Sequence, residues 1–453
     1  MSEQLTSLPQ QYPAAAALLT EHGDKTLRAY LTQLRLRPLP DILPSEDLLT
    51  AVRDYFVPFF GTETAEEAAA VLRRCRCLST ANHHHPAFEY MTVQDTILYD
   101  QWLRLHGERG DVVPFVTCDN PNLLSAEYPR GVLVYDCALP EGCLRLPLYP
   151  MRLLRACMAA VEGISPAMVE NALRRLQQEV RRGALTPSVA DAVERYLREI
   201  VLSDRVQQHG TLRRQTTAIN AMLSQHYFTD RTPQYLWVSM ETLTARLLEK
   251  DLWGEGTLLH QLLFCRSLRT VLLRRLEGVS GCWRGDTGGT HFFWGIDRRA
   301  VRFPLRLREE AGAAVLTGRN SLGEEVSVPF TPQALTEALA AENLLPGMLL
   351  CFLEIYFLRD FAVLGGYFQP TYLAQMRQGL VQALRELRLF EREAAILECK
   401  ADYMTLGLIY LRRQRGAGML PVSTAELLET PISAAEVEAA LEIPVAEALA
   451  VPD

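Results

Sequence analysis

A short apolar run, Cys75-Arg-Cys-Leu-Ser-Thr-Ala81, is bounded by polar residues in the manner of a buried strand. Asn82-His83-His84-His85-Pro86 forms the loop after it. From Phe88, apolar residues recur at Met91, Leu98, Trp102 and Leu105, a spacing that predicts a helix with one face on a core. Gly107 and Gly110 end that helix, and Asp111 to Cys118 reads as a second strand. Strand, helix, strand at these separations is a βαβ unit, and hence a parallel sheet. Gly131 to Tyr135 gives a third strand.

Further along, 151–228 is helical in pattern, with breaks at Gly163-Ile-Ser-Pro166, Gly183 and Gly210. Tyr235 to Ser239 returns to strand character, and two helices follow to about Glu277. Between Cys282 and Pro329 strand-like runs alternate with glycine turns, an antiparallel meander. Thr331-Pro332 opens a helix, with proline at its first position. The apolar run Leu344 to Leu358 carries Glu354; it is too short for a bilayer span and reads as a buried helix, one of three over 344–390. The first sixty residues hold proline-punctuated amphipathic helices, and Thr64-Ala-Glu-Glu67 is a capping box for a helix reaching about Arg74. The expected fold class is α/β with a helical insertion and a small antiparallel β meander. Its parts are 1–150 (N-terminal helices and first half of the core), 151–230 (the insertion), 231–415 (second half, with the meander at 282–330) and 416–453, a helical tail.

Length supports this division, because 453 residues exceed what one hydrophobic core usually fills. At 48% hydrophobic and 22% charged the chain is neither disordered, collagen-like nor a coiled-coil rod. The charge of −8 is uneven: from Gly416 onward stand Glu426, Glu429, Glu436, Glu438, Glu442, Glu447 and Asp453 with no Lys or Arg, so the body is near neutral. Neither part offers a basic nucleic-acid surface. Lys25, Lys250 and Lys400 are the lysines, which restricts any lysine-based step to three positions. Ten dispersed cysteines without a CxxC pair exclude both a small disulfide framework and the usual thiolate zinc site. The N-terminus has no basic and apolar signal segment. A cytoplasmic protein with reduced thiols, no membrane association and no metal is expected.

Candidate chemistry sits at the carboxyl edge of the parallel strands, where open α/β sheets bind ligands. Asn82, His83 and His84 could meet a phosphate or carboxylate there, or transfer protons; a histidine-capped surface loop is the simpler reading of the same residues. Asp95 falls where the stripe Phe88, Met91, Leu98, Trp102 calls for a hydrophobe, so it needs a partner or a wet cavity. Asp119-Asn120 ends the second strand at the same edge. Gly365-Gly366, followed by Gln369 and Tyr372, allows close backbone approach to a ligand or a tight turn. Gly285-Asp-Thr-Gly-Gly-Thr290 lacks the phosphate-loop spacing and its lysine and reads as a hairpin turn. GxSxG, HExxH and dinucleotide GxGxxG motifs do not occur.

Three segments together resemble one family. Arg76 to His83 resembles the first strand and glutamine-bearing loop of the bacillithiol-biosynthesis cysteine-adding enzymes, the cysteine ligases of that pathway. Val112 to Asp119 is similar to a second strand of that family, and Ile355 to Gly366, continuing through Gln369, Tyr372 and Gln375, to its diglycine segment. The sequence departs from the family where Asp119-Asn-Pro121 replaces an acidic, histidine-containing loop and where Gln369 replaces a glutamate. The resemblance implies a Rossmann-like core, frequent dimerisation and condensation of cysteine with an amino-sugar conjugate. An enzyme of this kind would use His83, His84 and Asp119 for catalysis, and Asn82, Asp95, Asn120, Gly365, Gly366, Gln369 and Tyr372 to bind a small-molecule substrate. Two rivals stand beside it. One is an adenylating transferase using ATP, weakened by the absence of a lysine loop. The other is a non-catalytic scaffold presenting the Arg-rich helices through Arg174, Arg181 and Arg195.

Overall fold

The computed structural model describes residues 13–33, 39–135, 139, 142–285, 288–310, 312–366, 368–400, 405–415 and 418–449. The start of the chain, Cys137, the Asp286-Thr287 part of the glycine turn, Gly416 and Asp453 lie outside these. The protein is mixed α/β with several small sheets, some parallel and some antiparallel.

Helix α1 (Ser45–Cys75) leads into strand β1 (Cys77–Ser79), helix α2 (Tyr90–Leu105) and strand β2 (Val112–Thr117). α1 is two helical stretches joined at a kink at Gly61, whose φ of 80° is a value glycine takes without a steric clash; the second stretch opens beside Thr64 and runs to Cys75, close to the helix expected there. Strand β3 (Gly131–Tyr135) pairs antiparallel with β4 (Cys143–Pro147) as a hairpin. Strand β5 (Gln234–Ser239) lies parallel to β2, and β1 lies parallel to the distant strand β12 (Ala362–Leu364). The two parallel pairs meet just beyond their strands, where His83 bridges Cys118 in parallel register. There the Cys118 N–H donates to the Asn82 carbonyl at 3.1 Å, and the His84 N–H to the Cys118 carbonyl at 2.7 Å. All four strands therefore end on one edge.

Residues of these strands alternate between two apolar clusters, as a period of two requires. Cys77, Phe115, Tyr235, Trp237 and Leu364 join the cluster holding Tyr99 and Trp102 of α2. Leu78, Val116, Leu236, Val238 and Val363 join the one holding Leu72 of α1 and Leu248 of α4 (Met240–Asp251). Helix α2 is buried on nearly every side from Thr92 to Leu103, so its polar residues face other elements rather than solvent. Of the stretch 151–228 expected to be helical, 166–224 is largely so, ending in α3 (Leu212–Ser224), whose N-cap Thr211 accepts from the Arg214 N–H, whereas 154–165 is loop.

Two regions differ from expectation. The meander resolves into separate units: β6 (Phe293–Ile296) lies between β7 (Arg302–Pro304) and β11 (Leu344–Pro346), antiparallel to both, while β8 (Arg306–Glu310), β9 (Ala313–Arg319) and β10 (Glu325–Pro329) form their own antiparallel sheet. The run Leu344 to Leu358 is thus not one helix. Its first residues complete a sheet, Pro346-Gly347 breaks the chain, and the helix starts at Met348. The acidic tail is also integral. Val437, Leu441 and Val445 are buried, Arg28 pairs with Glu438 and Glu442, and the Leu27 N–H donates to the Ile443 carbonyl at 3.0 Å. Among the described residues, no helix is long and apolar enough to cross a membrane.

Candidate functional site

A cavity of about 690 Å³ opens at the shared strand edge, within the range that holds small metabolites. Its floor is the loop after β1, from Thr80 to His83, together with Cys118 at the end of β2. One wall is the start of α2, carrying Glu89, Tyr90, Met91 and Asp95. The β3–β4 hairpin supplies Leu133, Tyr135 and Arg145, and the diglycine corner with helix α5 (Gln369–Leu387) supplies Gly366, Gln369 and Tyr372. Segments remote in sequence therefore enclose one hollow, because the parallel register aligns their strand ends.

Of the residues singled out from sequence, Asn82, His83, Asp95, Gly366, Gln369 and Tyr372 line this cavity. The Asn82 side chain donates to the Thr92 carbonyl at 3.4 Å and the Thr96 hydroxyl at 3.3 Å, tying the loop to α2. Gln369 Nε2 donates to Thr80 Oγ1 at 2.8 Å, while the Tyr372 hydroxyl donates to Gln369 Oε1 at 3.3 Å. Gly365 stands behind that contact rather than in the hollow. A Cβ there would displace the end of the Gln369 side chain from its bond to Thr80, so the first glycine makes room for that contact.

His84, Asp119 and Asn120 do not line the cavity; they sit behind its floor. His84 is fully buried, with Nε2 2.9 Å from the Arg213 carbonyl and Nδ1 2.7 Å from the Thr117 hydroxyl. Burial holds its pKa down at about 4, so it is a neutral core side chain at pH 7. Asp119 is buried in an ion pair with Arg213. Asn120 Nδ2 donates to Glu241 Oε1 at 2.8 Å and to Cys118 Sγ at 3.0 Å, and its Oδ1 accepts from Arg302 at 3.0 Å.

The cavity's charge is dominated by a carboxylate missed in the sequence. Glu127 lies in the Pro121–Pro129 turn region, where periodicity gives no signal; the one available hint was an acid downstream of three histidines. Its Oε2 is 2.7 Å from His83 Nδ1 and 3.0 Å from His85 Nε2, while His85 Nδ1 is 2.8 Å from the Pro86 carbonyl. Burial would raise the Glu127 pKa, but the two histidines outweigh it and hold the carboxyl far below its ordinary range. Glu89 caps α2 by accepting from the Thr92 N–H at 3.0 Å, and burial pushes it up to about 7. Asp95 is only 4% exposed and its Oδ1 has no hydrogen-bond partner. Burial, reinforced by the charges of Glu89 and Glu127, drives its pKa well above the usual carboxylate range.

None of the three lysines lines the cavity; Lys400, for one, is buried, donating to the Arg359 carbonyl at 2.7 Å. Among the described residues, no group of three or more His, Cys, Asp or Glu side chains is arranged to hold a metal ion. Compared with protein-family models, curated proteins and solved structures, the chain matches none.

Proposed function

We propose that this cavity is the active site of a ligase- or transferase-type enzyme that joins an amine-bearing metabolite, cysteine-like or an amino sugar, to an acceptor. The observation that carries the reading is Asp95, a buried carboxyl with one unpartnered oxygen on the wall of a metabolite-sized hollow. Buried polar groups are normally satisfied, and a buried acid beside two further carboxylates is satisfied best by a cation. An ammonium group supplies both the charge and the N–H donors, and Tyr90, Tyr135 and Tyr372 give the rest of the molecule apolar and aromatic surface. Glu89, with a pKa near neutrality, is suited to take the proton an ammonium must lose before it attacks. His83, held by Glu127, is suited to an anionic group of the acceptor.

The segments that resemble the bacillithiol cysteine-adding enzymes are those that border the cavity, which supports a Rossmann-like reading of the core and an amine- or thiol-bearing substrate. The parallel neighbours β1 and β2, joined through α2, support it further.

Calorimetric titration with L-cysteine and glucosamine against their N-acetyl derivatives tests the reading. The free amines bind and the acetylated forms do not. Burial raises the Asp95 pKa, so pairing with an ammonium favours its charged form and binding tightens as pH rises above the ordinary carboxylate range. Asp95→Asn weakens binding roughly tenfold to a hundredfold, the worth of a charge-assisted hydrogen bond. Equal binding of free and acetylated amines, or none of either, sinks the proposal.

A further inference from the structure

Cys118 lines the cavity from the end of β2, and its surroundings are those of a managed thiol rather than a packing residue. Its Sγ–H donates to Glu241 Oε1 at 3.2 Å. Glu241 is fixed in turn by the Asp119 N–H at 3.0 Å, by the Ser239 hydroxyl at 3.2 Å and by Asn120 Nδ2. The Asn120 amide also donates to the sulfur, and Arg302 on its oxygen fixes which end of the amide faces the thiol. Acceptor, sulfur and donor thus form a closed triangle. Among the described cysteines, Cys118 alone donates to a carboxylate; Cys75, Cys157 and Cys351 give their protons to backbone carbonyls.

We propose that Cys118 is the nucleophile of an acyl-transfer step in this cavity, with Glu241 as its base and Asn120 as the donor that stabilises the thiolate. This rests on the amine-site reading above, and the unpartnered Asp95 oxygen in the same hollow marks where the second substrate sits. An acyl ester or thioester R–CO–X enters the cavity. Sγ attacks the carbonyl carbon as its proton passes to Glu241; the C–X bond breaks, X leaves with that proton, and a Cys118 thioester remains. The bound amine, having lost its ammonium proton to Glu89, then attacks the thioester. The C–S bond breaks, the amide forms, and the remaining amine proton returns through Glu241 to sulfur. No oxidation occurs and no nucleotide is consumed. Burial and the neighbouring Asp119 push Glu241 up to about 8, while burial and the Glu241 charge push the Cys118 thiol well above its ordinary range, so the proton passes to Glu241 in concert with the attack on the carbonyl and not before it. A buried thiol is by default inert; here a base and a donor counter that default.

The test is incubation of the full chain with p-nitrophenyl acetate, followed by intact mass, peptide mapping and addition of glucosamine. One equivalent of p-nitrophenolate appears in a burst, the acetyl group maps to Cys118, hydroxylamine removes it, and glucosamine accepts it as the N-acetyl product. Glu241→Gln slows acylation about a hundredfold, and Glu241→Asp recovers part of the loss, with circular dichroism checking the fold of each. Acetyl on Cys143, Cys265 or Cys399 in place of Cys118, or a full burst in Cys118→Ala, overturns the proposal. If glucosamine titrates yet Cys118 stays unlabelled, the nucleophile falls while the amine site stands. Acylated Cys118 without amine binding keeps the nucleophile and removes the amine site.

Discussion

The protein buries carboxyl groups in two places and treats them differently. Beneath α4, Arg359 is completely enclosed, donating to Glu354, to Asp251 Oδ2 at 2.7 Å and to the Pro44 carbonyl at 3.1 Å. At the strand edge, Glu89, Asp95 and Glu127 share one hollow; histidines answer Glu127, but nothing answers Asp95 Oδ1. In the first region the chain supplies its own cation, and the result is a structural joint between segments far apart in sequence. In the second a place is left for one. An unpartnered oxygen occurs in both, since Glu354 Oε1 has no hydrogen-bond partner either; what separates the two is that Arg359 pairs with the acids of the joint, whereas no Lys or Arg pairs with Asp95 among the described residues.

The largest effect that could break this contrast is at the joint. Arg359→Met leaves two buried acids without their cation and lowers unfolding stability in urea by about 3–5 kcal/mol; a loss under about 1 kcal/mol would erase the distinction. Next in size is the pH dependence of the site. Glu89 titrates near 7 when folded and near 4.5 when unfolded, so the folded state binds the extra proton between those values. Stability then falls by up to about 3 kcal/mol as pH rises across that window and is level above it, and Glu89→Gln removes the slope. Glu127 has the opposite sign: its depressed pKa contributes stability above pH 4.5 that is lost on acidification, and Glu127→Gln forfeits it at pH 7.

The adjacent histidines sharpen the contrast further. His84→Ala removes a buried, doubly bonded ring and costs about 1–3 kcal/mol, whereas His83→Ala changes unfolding by under about 1 kcal/mol and leaves stabilisation by glucosamine in a thermal melt intact, because His83 faces the acceptor and not the amine. The smallest shift is expected at Asp95. Since the folded state strains against its charged form, Asp95→Asn at pH 7 leaves stability unchanged or raises it by up to about 1 kcal/mol; a large loss would make Asp95 a joint after all.

Much of this was legible along the chain. The strand–loop–helix–strand unit follows from hydrophobic period alone, and Asp95 betrays itself by interrupting an apolar stripe. The diglycine corner was legible as a close approach, though what approaches Gly365 is the Gln369 side chain. Which of three consecutive histidines faces the hollow was not legible, because that depends on the register with which His83 meets Cys118, a pairing across 35 positions. Asp119 and Asn120 point away for the same reason, leaving Cys118 on the cavity side. β3 was legible as a strand, but Glu127 and β4 fold in from stretches with no period to read, and the tail's packing faces are masked by its surface acids.

The clasp between residues 23–28 and 441–446 bears on how the molecule is made. The Leu27, Arg28, Val445 and Ala446 amides all bond across it, and Arg28 closes it with two carboxylates. During synthesis residues 23–28 wait for residues 441–446, so Leu27 and its apolar neighbours stay uncovered until that distant segment has been made.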